Sequence, residues 1–180
     1  MNVLVLVGSL RADSLNRLLA RAAVAELPAD ISVRFAEGLG ELPHYDQDLD
    51  VTPAPASVAA FRRVVAEADA LLVVTPEYNG APSGVIKNAI DWASRPRGSA
   101  AIVGKKVAVL SASMAPRGGQ WAREGAVRVL TVAGADVLPG TVGIGSAHEV
   151  LTADGLIDDE ARGAVRALVN QLVGTEALAA

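Results

Sequence analysis

The stretch Asn2-Val-Leu-Val-Leu-Val-Gly8-Ser-Leu-Arg-Ala-Asp-Ser14-Leu-Asn-Arg-Leu-Leu-Ala-Arg21 decides the fold. Val3 to Val7 form an unbroken apolar run ending at Gly8, the signature of a strand buried on both faces of a parallel sheet. After the turn, Leu15, Leu18, Leu19 and Ala22 recur at the spacing of one helical face, with Asp13 or Ser14 at the N-cap position. The intervening loop carries Ser9, Arg11, Ser14 and Asn16, all hydrogen-bond donors. A donor-rich loop emptying onto a helix N-terminus favours an anion, because free N–H groups and the helix dipole act together. The first expectation is a phosphate cradle.

The rest of the chain repeats the strand–helix alternation. Ile31–Phe35 reads as a second strand, and Val58, Phe61, Val65 and Ala68 mark the apolar face of a second helix. Ala70–Thr75 is a third, wholly apolar strand, followed by the polar turn Pro76-Glu-Tyr-Asn-Gly-Ala-Pro82. Ser83 leads a third helix through Ile86, Ile90 and Ala93. Val107–Leu110 is a fourth strand, ending in the loop Ser111–Gly119; a fourth helix reaches about Ala133. Ala135–Gly145 holds a fifth strand interrupted by Pro and Gly. A last helix opens at Asp158 and Asp159, leaving the tail after Gly174 to fray.

Strands this apolar need cover on both faces, so the chain is expected to be a single α/β domain over residues 1–180. The sheet is doubly wound and parallel, with five strands suiting the flavodoxin-like order 2-1-3-4-5. Ligands of such sheets bind beyond the carboxyl ends of the strands at the switch point between strands 1 and 3. The loops arriving there are Gly8–Ser14, Pro76–Pro82 and Ser111–Gly119, the least ordinary loops in the chain.

Composition narrows the function classes. The chain has 180 residues, is 51% hydrophobic and has no cysteine, which excludes disulfides, thiolate metal sites and cysteine nucleophiles. No apolar run approaches the ~18 residues of a membrane span, and no signal peptide is recognisable, so a cytoplasmic protein is expected. The apolar excess points to a subunit interface. Net charge is −4, yet residues 81–128 carry 8 Lys/Arg against 2 Asp/Glu. A nucleic-acid site would need those cations clustered with aromatics, and aromatics are only 3%, so nucleic acid is not expected as a partner. Arg95, Arg97, Lys105 and Lys106 precede strand 4 and belong at the end of the sheet opposite the site.

Gly8-Ser-Leu-Arg11 is not G-x-G-x-x-G, and neither a P-loop nor a G-x-S-x-G elbow exists. The acidic run Asp46-Gln-Asp48-Leu-Asp50 begins like an EF-hand but has Val51 and Ser57 where Gly and Glu are needed. His44 and His148 lack metal-ligand spacing, and no metal is assigned. A monophosphate attached to a flat ring fits the loops, and that describes FMN.

The segments Gly8-Ser-Leu-Arg-Ala-Asp-Ser14-Leu-Asn16, Thr75-Pro-Glu-Tyr-Asn-Gly80 and Gly84-Val-Ile-Lys-Asn88-Ala-Ile-Asp91-Trp92 resemble the NADPH-dependent FMN reductase family, and especially its bacterial quinone and chromate reductases. The resemblance implies bound FMN, NADPH or NADH as donor, and quinones, free flavin or other small-molecule electron acceptors. It places the phosphate loop on Ser9, Arg11, Ser14, Leu15 (through its N–H) and Asn16. The ring-edge segment falls on Pro76, Glu77, Tyr78, Asn79 and Gly80, and the third loop on Ser111, Ser113, Gly118 and Gly119. Tyr78, Asn79 and Arg117 are the candidate substrate or NADPH contacts. Ala81-Pro82-Ser83-Gly84 departs from the family's usual Ser-hydrophobic-Pro-Gly. Flavin carries the redox chemistry, so no side chain is assigned a catalytic role. The family also implies a homodimer or homotetramer, with the third helix through Trp92 as the candidate contact. A flavodoxin-type electron carrier and a flavin-binding regulatory domain remain open alternatives.

Overall fold

The computed structural model describes residues 1–175. Its sheet has five parallel strands, β1 (Asn2–Val7), β2 (Ser32–Phe35), β3 (Ala70–Val74), β6 (Lys106–Ala112) and β7 (Asp136–Ile144), in the order β2-β1-β3-β6-β7. This is the expected order 2-1-3-4-5. Two short hairpins complete the strands: β4 (Glu77–Tyr78) with β5 (Ala81–Pro82), and β8 (Leu151–Thr152) with β9 (Gly155–Leu156).

Burial explains the pattern. Along β1, Val3, Val5 and Val7 enter one core while Leu4 and Leu6 enter the other, the two-residue alternation of a covered strand. The first core is closed by helices α1 (Leu15–Ala25) and α6 (Asp159–Val173). The second is closed by α2 (Ala56–Glu67), α3 (Gly84–Ala93) and α4 (Gln120–Val132). A single turn, α5 (Ala147–Val150), follows β7. Edge strand β7 takes up Leu138-Pro-Gly140 as an irregularity between Val137 and Thr141, where a proline without an N–H does no damage to the ladder.

Three differences from expectation are structural. The buried face of α1 is Asn16, Leu19, Ala20, Ala22 and Ala23. Leu19 and Ala22 thus face the core as expected, Leu15 and Leu18 pack against it only partly buried, and a polar residue, Asn16, joins the buried face. The Pro76–Pro82 turn is a β-hairpin, closed by Asn79 at φ 52 and Gly80 at φ 72, the left-handed pair that a two-residue hairpin turn requires. Trp92 is 0% exposed: its indole N–H donates to Pro43 O at 2.7 Å, Tyr45 meets it edge-on and the Arg62 guanidinium lies over it. It cannot be the subunit contact, because every face of the ring is already packed within the chain. The expected fraying past Gly174 falls outside the described residues, apart from Thr175.

The acidic loop is committed locally. Asp46 accepts from Asp48 N, and Asp50 pairs with Arg62 at 2.7 Å, both side chains largely covered. At the opposite sheet end, Lys105 Nζ donates to Ala66 O and Ala68 O, closing the C-terminus of α2, and Arg95 stacks on Tyr45.

Candidate active site

Because β1, β3 and β6 are neighbours in register, Val7 lies beside Val74 and Val74 beside Leu110. Their following loops therefore emerge together. Gly8 N donates to Val74 O at 2.8 Å and Thr75 N to Leu110 O at 3.0 Å, carrying the ladder to the point where the loops diverge.

The first loop is a run of open donors. Among the described residues, no backbone N–H from Ser9 to Asn16 donates to a protein acceptor. Ser14 caps α1, its Oγ accepting from Arg17 N at 3.3 Å, which leaves its O–H proton to donate outward. Ser9 is buried; Arg11 is exposed and has no carboxylate partner among the described residues. Leu15 supplies the first N–H of the helix. Asn16 behaves differently from its neighbours. Its carboxamide donates to Ala112 O and accepts from Ala112 N, both at 2.9 Å, so the side chain ties the first loop to the end of β6.

The second loop is held from below. Thr75 Oγ1 accepts from Ser83 N at 3.1 Å, and Ser83 caps α3 by accepting from Ile86 N. The shifted proline therefore leaves the cap on Ser83 intact. Glu77 reaches across to accept from Ala122 N at 3.1 Å, serving as the cap that the glycine at the start of α4 cannot provide. Pro76 is buried, Tyr78 is 51% exposed, and Asn79 and Gly80 form the exposed hairpin tip.

In the third loop, Ser113 Oγ accepts from Ala115 N. Gly118 and Gly119 take φ of 56° and 69°, and a Cβ on Gly119 would strike Ser111 Oγ. Ser111 itself is 0% exposed with its hydroxyl unpartnered, so it lies beneath the loop and not on its outer surface. Arg123 anchors the loop, donating to Gly118 O at 2.5 Å and to Thr141 Oγ1 at 3.1 Å. Burial pulls its guanidinium pKa below the usual arginine value, with Glu124 and Glu77 acting in the opposite sense.

Two features escaped sequence reasoning. Arg17, in the first turn of α1, holds a buried Nε with no partner. Trp121, in the first turn of α4, is 51% exposed and packs against Gly80. Neither lies within a recognised motif; the nearest sequence signal is a tryptophan one residue past an expected helix start.

The architecture suits a phosphate with an attached ring: open backbone donors and hydroxyls at one loop, and an exposed hairpin with an aromatic at the next. Residues 1–149 match the NADPH-dependent FMN reductase family. The chain belongs to that family.

Among relatives of this FMN reductase family member is the 2-hydroxy-1,4-benzoquinone reductase of a Burkholderia species. It is 46% identical over 114 residues, 63% of this chain and 61% of that protein. The NAD(P)H-dependent FMN reductase of Pseudomonas aeruginosa is 40% identical over 164 residues, 89% of this chain and 86% of the relative. Among solved structures, the flavoenzyme NAD(P)H:(acceptor) oxidoreductase FerB from Paracoccus denitrificans superposes with a TM-score of 0.83 at 33% identity. That match covers 97% of this chain and 98% of FerB.

Proposed function

We propose that this chain is an NAD(P)H-dependent flavin and quinone oxidoreductase that uses FMN to pass reducing equivalents from NADPH or NADH to quinones, free flavin or other small acceptors. The observation carrying this reading is the run of unpaired backbone N–H groups from Ser9 to Asn16, at the carboxyl end of β1 beside the switch point of the sheet. When bound, FMN supplies the hydride-accepting chemistry; the chain supplies binding, orientation and electrostatics.

In this reading Ser9, Arg11, Ser14 and the Leu15 N–H hold the phosphate, and Arg17 Nε is a further donor within the same turn of α1. Asn16 and Ser111 support the site from inside. Pro76, Glu77, Tyr78, Asn79 and Gly80 pass along the ring edge, with Glu77 fixing the hairpin to α4. Ser113, Gly118 and Gly119 shape the third wall. The protein works as one unit over residues 1–180 in the cytoplasm, and as a homodimer or homotetramer. No helix among the described residues is long and apolar enough to cross a membrane. With Trp92 enclosed, the exposed Val103 and Val132, beside the α3–α4 cleft, replace it as the candidate subunit contact.

Anaerobic stopped-flow mixing of the FMN-loaded protein with NADPH tests the reading. Bleaching of the flavin absorbance on a catalytic timescale, followed by recovery on adding a quinone, is expected. Retention of oxidised flavin would make the protein an electron carrier or a binding domain instead.

A further inference from the structure

Arg117 and Trp121 sit together at the rim of the third loop and carry chemistry that the phosphate loop does not use. The Arg117 guanidinium lies 5.4 Å from the centroid of the Trp121 ring, close enough for a cation–π contact. Both residues are exposed, and Arg117 has no carboxylate within ion-pair distance among the described residues. The nearby acids are otherwise engaged. Glu77 accepts from Ala122 N, and Glu124 accepts from Gln120 Nε2 at 2.9 Å.

The indole is placed by the hairpin. A Cβ on Gly80 would lie 3.3 Å from Trp121 Cε3, so the backbone of the Asn79–Gly80 turn abuts the benzo ring. Trp121 thereby stands against the Gly80 end of the turn that joins Tyr78 to Ala81, the tip of the hairpin assigned to the ring edge. A large aromatic left half exposed on a rigid helical turn, beside an unneutralised cation, is poorly explained by folding. Burial would have stabilised more, and an exposed indole is a liability for association.

We propose that Arg117 and Trp121 form a binding site for a planar aromatic ligand carrying an oxyanion, through which the protein takes one of its two substrates. The inference rests on the reductase reading and deepens it. The indole supplies a stacking surface for the ring, and the guanidinium offers several N–H donors to the charged oxygen. Two sources share that chemistry: an ionised hydroxyquinone acceptor, and the adenine ring and 2′-phosphate of NADPH.

The experiment measures binding directly by calorimetry on the FMN-loaded protein, using lawsone (a hydroxynaphthoquinone ionised at neutral pH) against 1,4-naphthoquinone, and 2′-AMP against adenosine. The wild type should bind the anionic member of one pair more tightly. Arg117→Gln should remove that preference, a loss of about ten-fold or more for a charge-assisted hydrogen bond. Trp121→Ala should weaken both members of the pair, while Trp121→Phe restores most of the affinity. Preference for lawsone assigns the site to the acceptor, and preference for 2′-AMP assigns it to the donor. Equal binding of anionic and neutral members, or affinities unchanged in Arg117→Gln, overturns the proposal. Flavin bleaching by NADPH is scored separately, so failure of the reductase reading is distinguishable from failure of this site.

Discussion

Asn16 and Ala112, 96 residues apart, clasp each other through a closed pair of hydrogen bonds, the carboxamide donating to the backbone carbonyl and accepting from the backbone N–H at 2.9 Å each. Both residues are buried, and the pair joins the start of α1 to the end of β6. It fixes the spacing between the first loop and the third. A residue that reads as a ligand donor therefore acts by holding the two loops in place.

Asn16→Leu should be strongly destabilising. The substitution leaves the Ala112 N–H and carbonyl buried without partners, each worth ~1–3 kcal/mol. Urea denaturation of the flavin-free protein should show the loss, and FMN affinity should fall with it. A variant with unchanged stability would mean that water or a neighbour replaces the clasp.

The phosphate loop is tested by comparing Ser14→Asp with Ser14→Ala. Aspartate is as good an N-cap as serine, whereas alanine costs roughly 1 kcal/mol. Ser14→Asp should therefore keep the thermal midpoint near that of the wild type. It should also weaken FMN by more than Ser14→Ala does, because its carboxylate repels the phosphate. Quenching of flavin fluorescence gives both affinities. Riboflavin, which lacks the phosphate, should bind the wild type far more weakly than FMN; equal affinity would remove the phosphate from this loop.

Glu77→Ala should loosen the start of α4, since the Ala122 N–H loses its acceptor and the helix loses a carboxylate at its positive end. The expected cost is about 1–2 kcal/mol, read from thermal unfolding. Glu77→Gln retains an acceptor oxygen and should recover part of it.

The two tryptophans should be spectroscopically distinct. Trp92, 0% exposed, should emit at short wavelength and resist acrylamide; Trp121, 51% exposed, should emit to the red and be quenched. Trp121→Phe should leave only the protected component. Trp92→Ala should cost ~3–5 kcal/mol as a large core truncation, and a small loss would contradict its enclosure.

The alternation of apolar strands with amphipathic helices was legible from local pattern alone, because a strand covered on both faces has no room for polar residues. Val3–Val7 and Ala70–Val74 show this directly. Five apolar strands suited one of the restricted topologies of such sheets, though the order itself is not written in any local pattern. Ser83 and Asp158 were recognisable as helix starts from residue type and spacing, while the first cap lay between Asp13 and Ser14 until the structure placed it on Ser14. The loops with unusual chemistry were equally visible. What each side chain in them does was not. Asn16 and Ser9 are both small, polar and buried, yet the first faces Ala112 and has both its hydrogen-bonding functions satisfied. That outcome depends on where β6 ends. Trp92 and Trp121 carry no local mark separating an enclosed indole from an exposed one; packing of Pro43, Tyr45 and Arg62 against the first decides it. Local sequence determines which backbone geometry a segment adopts, since propensity and periodicity act over a few residues. Whether a polar group is left open to a ligand depends on partners far along the chain, and only the tertiary structure brings those together.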